Sequence, residues 1–420
     1  MKTRDKKGGF LFRRRYSLLF FFYSVIYQYV VVNRLEPFHV SIVGFSYHLV
    51  DYKSMGFRSQ LLPGSVFYGI FGEHATETAA TVYETVLLLL FFAGTALLLE
   101  RFFLKAEQQN RGAALVLLLL YLSGPFTFAV FTDELGILDV YWLYFSLLFF
   151  LFLEKRGLRL LIPVLYALCL LVHFSSILGY LILFSVLLLY RVSLETEKKT
   201  KGVYLSVFAC SLAVTAGLFV YFLLFQAKDL PLTQEAFHQL LQDRGGKYTL
   251  YYDYSFYNNF AGKEVVPSEV FSVASPVLRT LQMIAAKCRF TFYSYGQEPV
   301  ASVVRLMLAV LLLTPALCFL YKRLFGFFKS AAGGRLKRFS VFLMMVQFPF
   351  TAVLGCLFSP DIIRWTTHAF LVAFTMFLYV LVHEKALRAE TFGAIKTLFS
   401  APAARLWLLA YVSVYAWAYC

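Results

Sequence analysis

The chain has 420 residues, 60% hydrophobic and only 15% charged, with a formal net charge of +15 and a mean hydropathy of +0.68. Soluble domains carry about 25% charged residues, so this composition excludes an ordinary soluble enzyme and places the whole chain in the membrane class. The basic excess then points to cytoplasmic loops, where Lys and Arg collect, rather than to nucleic acid.

Spanning helices need roughly 20 apolar residues. Runs of that kind place spans near 16–33, 81–100, 113–131, 137–153, 159–173, 175–190, 203–225, 300–321, 339–358, 366–383 and 405–420. This predicts an all-α polytopic bundle of about eleven transmembrane helices forming one domain over 1–420. The basic stretch Arg13-Arg14-Arg15 precedes the first run and no small-residue cleavage site follows it, so that run reads as a retained helix. The fifth and sixth runs abut at His173-Phe174-Ser175-Ser176 and are together too long for one span. The six cysteines include no C-x-x-C pair, which argues against a zinc or redox motif and against a disulfide framework.

With the N-terminus inside, the segments 1–15, 101–112, 154–159, 191–202, 322–338 and 384–405 face the cytoplasm and hold 27 of the 39 Lys and Arg residues. That agrees with the bias of short loops and predicts a multi-pass protein of the cytoplasmic membrane. Two connections on the other side are long. Segment 34–80 is rich in Gly, Pro and aromatics and predicts short interfacial helices. Segment 226–299 carries Asp243-Arg244-Gly245-Gly246-Lys247 and a tyrosine-rich run from Tyr248 to Tyr257, suited to the water–lipid boundary or to stacking on sugars.

Ionisable groups at membrane depth are costly and usually mark a site or a pair. Here they gather on the outer side: Asp51, Lys53, Arg58, Asp133, Glu134, Asp139, His173, Asp361, Arg364 and His368, with Glu84 near the outer end of its helix. A bundle could bring them around one cavity. Asp51 is a candidate general base, or a loop carboxylate paired with Lys53 or Arg58. Asp133, Glu134 and Asp139 fall within seven residues; they could bind a divalent cation such as Mg or Mn, or form a solvated turn with an Asp as helix cap. His173 reads as a ligand at a hairpin turn or as a core histidine. Asp361 and Arg364 can pair across one helical turn, while the Arg364 guanidinium also suits a phosphate.

No phosphate-binding loop, G-x-G-x-x-G, H-E-x-x-H or G-x-S-x-G motif occurs. A first helix, a long outer loop with a carboxylate and short interfacial helices, and then many spans resembles the GT-C superfamily of membrane glycosyltransferases. The segment Leu170 to Ser176 is similar to a helical hairpin of those enzymes and of bacterial polysaccharide polymerases. The resemblance covers roughly the first 190 residues. It implies transfer from a polyprenyl-phosphate-linked sugar to a glycan acceptor at the outer face, in cell-surface polysaccharide synthesis. It carries catalytic carboxylates to Asp51, Asp133 and Asp139, beside His173. Similarity to O-antigen ligases adds Arg244, Arg279 and Arg364 as phosphate ligands, with Arg58 and Asp361 next to them. The chain lacks a clear Asp-x-Asp in its first loop and has no W-W-D-Y-G. A flippase or transporter of lipid-linked glycans, and a non-catalytic scaffold, are the alternatives; a transporter should show repeats and broken helices.

Overall fold

A computed structural model describes residues 14–106, 110–225, 232–246, 275–297, 300–330, 334–359 and 361–418. Within them the chain is helical, and extended backbone pairs at an isolated bridge between Val40 and Leu135. The tyrosine-rich run, Lys247 and the Arg279 side chain lie outside the described residues.

Helix α1 (Arg15–Tyr27) continues into a π turn (Gln28–Val32). Segment 34–80 then forms short helices as expected: α2 (Ile42–Leu49), α3 (Tyr52–Met55) and α4 (Leu62–Phe71). The long α5 (Glu77–Lys105) runs back beside α1. Arg14 and Ser17 at the start of α1 both meet the Glu100 carboxylate near the end of α5, the arginine at 3.2 Å. Next come α6 (Arg111–Leu122), α7 (Ala129–Thr132), α8 (Leu138–Glu154), α9 (Ile162–Val172), α10 (Tyr180–Leu194) and α11 (Lys198–Phe225). The C-terminal half holds α12 (Gln234–Asp243), α13 (Pro276–Gln297), α14 (Val300–Ser330), α15 (Arg335–Phe358), α16 (Ile362–His383), α17 (Lys385–Leu398) and α18 (Pro402–Ala418).

Six stretches are long and apolar enough to cross a membrane: Arg15–Val32, Glu77–Lys105, Lys198–Phe222, Met307–Ser330, Arg335–Leu357 and Ile362–His383. The other expected spans are shorter helices, of 12 residues in α6, 17 in α8, 11 in α9, 15 in α10 and 17 in α18. Helix α16 is the axis of the bundle, with 89% of its apolar window buried, against 17% for α11. Outward residues such as Leu90, Leu212, Phe219 and Leu311 are exposed. A helix apolar on all sides yet unburied suits lipid rather than water.

The expected span over 113–131 is not continuous. Helix α6 stops at Leu122 because Gly124 takes a left-handed conformation (φ +117°) and Pro125 follows. The freed backbone is satisfied from α1, where the Tyr27 hydroxyl accepts the Gly124 N–H at 3.1 Å and Tyr23 pairs with Ser123. The break at His173 occurs where the sequence placed it. There, Ser59 donates to the Leu170 carbonyl at 2.8 Å and accepts the Phe174 N–H at 3.0 Å, and the Gln60 N–H reaches the Leu171 carbonyl at 2.9 Å. The first loop thus closes the end of α9.

Helix ends sort into two poles. At one, Tyr379 donates to Glu154 at 3.1 Å, Tyr190 to Glu384 at 2.9 Å, Lys337 pairs with Glu384 at 2.6 Å, and Tyr204 donates to the Leu153 carbonyl at 3.2 Å. This pole gathers residues from the segments 154–159, 191–202, 322–338 and 384–405 or beside them. The opposite pole holds the polar residues singled out in the sequence.

Candidate functional site

Asp139 lies in the first turn of α8, where the helix dipole favours a carboxylate. Its side chain is nearly buried, and Oδ2 sits 3.4 Å from Arg364 Nε and 3.5 Å from His368 Nε2. Arg364 also lies 3.0 Å from Asp361 Oδ2, while Asp361 Oδ1 accepts the Arg364 N–H at 3.1 Å and so caps α16. The expected local pair therefore forms. It is also extended: Arg364 and His368 are one turn apart on α16, and together they clamp the carboxylate of α8.

Aromatic rings fix this arrangement. His368 stacks on Phe131 with centroids 4.3 Å apart, and Trp142, Trp365 and Tyr180 surround it at 5.0, 5.4 and 5.4 Å. Trp142 also touches the His173 ring at 5.9 Å, which brings His173 to the same wall and within electrostatic reach of Asp139. Asp139 Oδ2 and His368 Nδ1 are buried and make no hydrogen bond among the described residues. Asp139 Oδ2 is nevertheless held by its two basic neighbours, whereas a buried ring nitrogen with no hydrogen bond among the described residues, as at His368 Nδ1, is costly.

Asp133 and Glu134 are exposed on the turn before α8. Among the described residues no three of His, Cys, Asp or Glu converge to hold a metal ion. No chemical step is assigned to a divalent cation here. Glu134, Asp139 and Asp361 all act electrostatically on Arg364.

Asp51 belongs to a neighbouring pair. Its Oδ1 accepts the Ser54 N–H at 2.8 Å and caps the short α3, and its Oδ2 lies 3.2 Å from Arg244. Its partner is thus neither Lys53 nor Arg58. Arg58 is buried, with Nε donating to the Met55 carbonyl at 3.2 Å. Helix α12 positions Arg244 at its C-terminal cap, closed by the Gly246 N–H on the Leu241 carbonyl at 2.7 Å. From there Arg244 donates to the Leu49 carbonyl at 2.6 Å and lies flat on Tyr68, 4.0 Å from the ring centre. Burial opposes the ionised Asp51 carboxyl, but the Ser54 hydroxyl and amide and the Arg244 charge outweigh it, so its pKa lies below the ordinary 3.8.

A third cluster lies near these two pairs in the chain, and sequence reading did not foresee it. His48 Nε2 lies 2.8 Å from Glu84 Oε1, and Tyr141 donates to the same oxygen. Nδ1 of His48 lies 2.6 Å from the Gly44 carbonyl and donates to it. His48 stands three residues before Asp51, and Tyr141 two after Asp139. The cluster thus joins α2, α5 and α8, the elements that precede or carry the two carboxylates. Glu84 in an apolar run was a sequence signal for a partner; which partner was not.

No family model, curated protein or solved structure matches this chain.

Proposed function

We propose that the chain is a membrane glycosyltransferase of GT-C-like build, with about eleven spans. It moves a glycan from a polyprenyl-phosphate carrier to a hydroxyl acceptor at the non-cytoplasmic face. The observation that carries this reading is the Asp139 carboxylate held between Arg364 and His368 at the pole opposite the basic loops. A carboxylate placed against the acceptor can take the proton of its hydroxyl. The new bond then forms at the sugar's anomeric carbon as its bond to phosphate breaks, and the departing phosphate needs a positive partner. Arg364, the more exposed of the two cations, supplies it. In this reading Asp139 takes the base role, and Asp51 serves structurally, capping α3 through Ser54 and pairing with Arg244. Arg244 on Tyr68 contributes to the rim where a glycan would lie.

The short helices of segment 34–80 and the collection of basic loop segments at the opposite pole support the same reading. A flippase is favoured by one observation, the interruption between α6 and α7. Both are separated by assaying purified protein for extension of a lipid-linked glycan, normalised to folded protein. Losing a general base costs about 10²- to 10⁴-fold in rate, so Asp139→Asn should assemble and be nearly inactive, while Asp51→Asn should keep more activity. Full specific activity in Asp139→Asn removes the assignment. Movement of the lipid across vesicles without any new glycosidic bond would favour the flippase.

A further inference from the structure

We infer that a second site, opening at the Glu154 pole, takes one hydrocarbon chain of an anionic lipid whose headgroup rests on Arg101 and Lys105. A cavity of about 500 Å³ lies between α5, α8, α10 and α16, within the ~300–1,000 Å³ range of ligand sites. Its body is walled by Phe91, Phe102, Leu147, Phe150, Leu371 and Leu378. Most of the polar side chains along the wall are engaged already, the buried Tyr180 hydroxyl being an exception among the described residues. Ser146 donates to the Trp142 carbonyl at 2.8 Å, Thr375 to the Tyr121 hydroxyl at 3.3 Å, and Tyr379 to Glu154 at 3.1 Å. Such a wall has little to offer a sugar or a nucleotide and suits methylene groups.

Charge selects the occupant. Arg101 and Lys105 are exposed, one helical turn apart at the end of α5, and neither makes an ion pair among the described residues. The carboxylate lining the cavity there is Glu154, which is taken up by Tyr379 and lies 3.8 Å from His383. Two unpaired cations above an apolar slot match a phosphate head on a single tail. The inference does not rest on the transferase reading, because Arg101 and Lys105 lie at the opposite pole from Asp139 and Arg364.

The test uses the full chain in nanodiscs of phosphatidylcholine, with hexadecyl phosphate, hexadecanol and inorganic phosphate as probes and native mass spectrometry as the readout. Hexadecyl phosphate should be retained in preference to hexadecanol, and inorganic phosphate should not be held. Arg101→Gln with Lys105→Gln should weaken retention roughly 30-fold, since each basic residue near the surface supports an anionic lipid. Ser146→Phe, which fills the cavity, should abolish it. Undiminished retention by the double variant, or by folded Ser146→Phe, overturns the site, as does inorganic phosphate binding as tightly as the lipid. If Ser146→Phe does not fold, the two exposed substitutions decide alone.

Discussion

Glu84 is the point at which a single substitution should do most damage without touching a candidate catalytic group. His48 and Glu84 are wholly buried and Tyr141 nearly so. Glu84→Leu removes the carboxylate that the His48 Nε2 and the Tyr141 hydroxyl share and leaves the two, 3.2 Å apart, with only each other among hydrocarbon. Breaking one side of a buried ion pair costs about 3–5 kcal/mol, whereas replacing the whole set by apolar residues of like volume is close to neutral. The triple variant His48→Phe, Glu84→Leu, Tyr141→Phe should therefore be more stable than Glu84→Leu by most of that amount. The His48 ring already packs edge-on against Phe67 at 4.9 Å, so a phenyl ring suits the position. Unfolding in mixed micelles titrated with dodecyl sulfate, followed by circular dichroism, gives both free energies. A Glu84→Leu variant within about 1 kcal/mol of the unsubstituted protein would refute the clamp, because exposed or unpaired sites give effects of that size.

Four further outcomes follow from the same geometry. Asp361→Asn keeps the cap of α16, since Asn caps as well as Asp, but removes one carboxylate competing for Arg364; donor KM should fall several-fold, and an unchanged or raised KM would count against Arg364 as the phosphate ligand. Asp51 has a folded pKa below the ordinary 3.8, so its contribution to stability is present above about pH 4 and is lost as the pH drops through the folded value; acid unfolding of Arg244→Gln, which weakens that shift, should show a shallower dependence in this window. A side chain at Gly64 would place its Cβ 1.9 Å from the Val50 carbonyl oxygen and 2.4 Å from that of Tyr47, so Gly64→Ala should destabilise the chain by about 1–3 kcal/mol, read as a lower unfolding midpoint. Ser330→Cys should resist an impermeant thiol reagent in intact cells while Lys53→Cys reacts, and the reverse labelling would invert the orientation.

Much of the local structure was legible in the residues themselves. Apolar runs marked the helices, the Asp361–Arg364 spacing marked a pair within one turn, and His173 marked the break between α9 and α10. The stop after Leu122 was also written locally, in Ser123-Gly124-Pro125, but a run of apolar residues on both sides hid it. These features depend on neighbours in the chain, so a linear reading reaches them. The Asp51–Arg244 pair joins residues 193 positions apart, and the Arg364–Asp139 contact joins residues 225 apart. Nothing in either segment chooses among the several carboxylates and cations that share the same pole. The depth of each helix was equally hidden. Helices α11 and α16 are both strongly apolar along most of their length, yet α16 is enclosed and α11 faces outward. Lipid tails and a protein interior are alike in polarity, so composition cannot say which surface meets which. Packing alone decided that α16 should be central, and with it that Arg364 and His368 should reach Asp139.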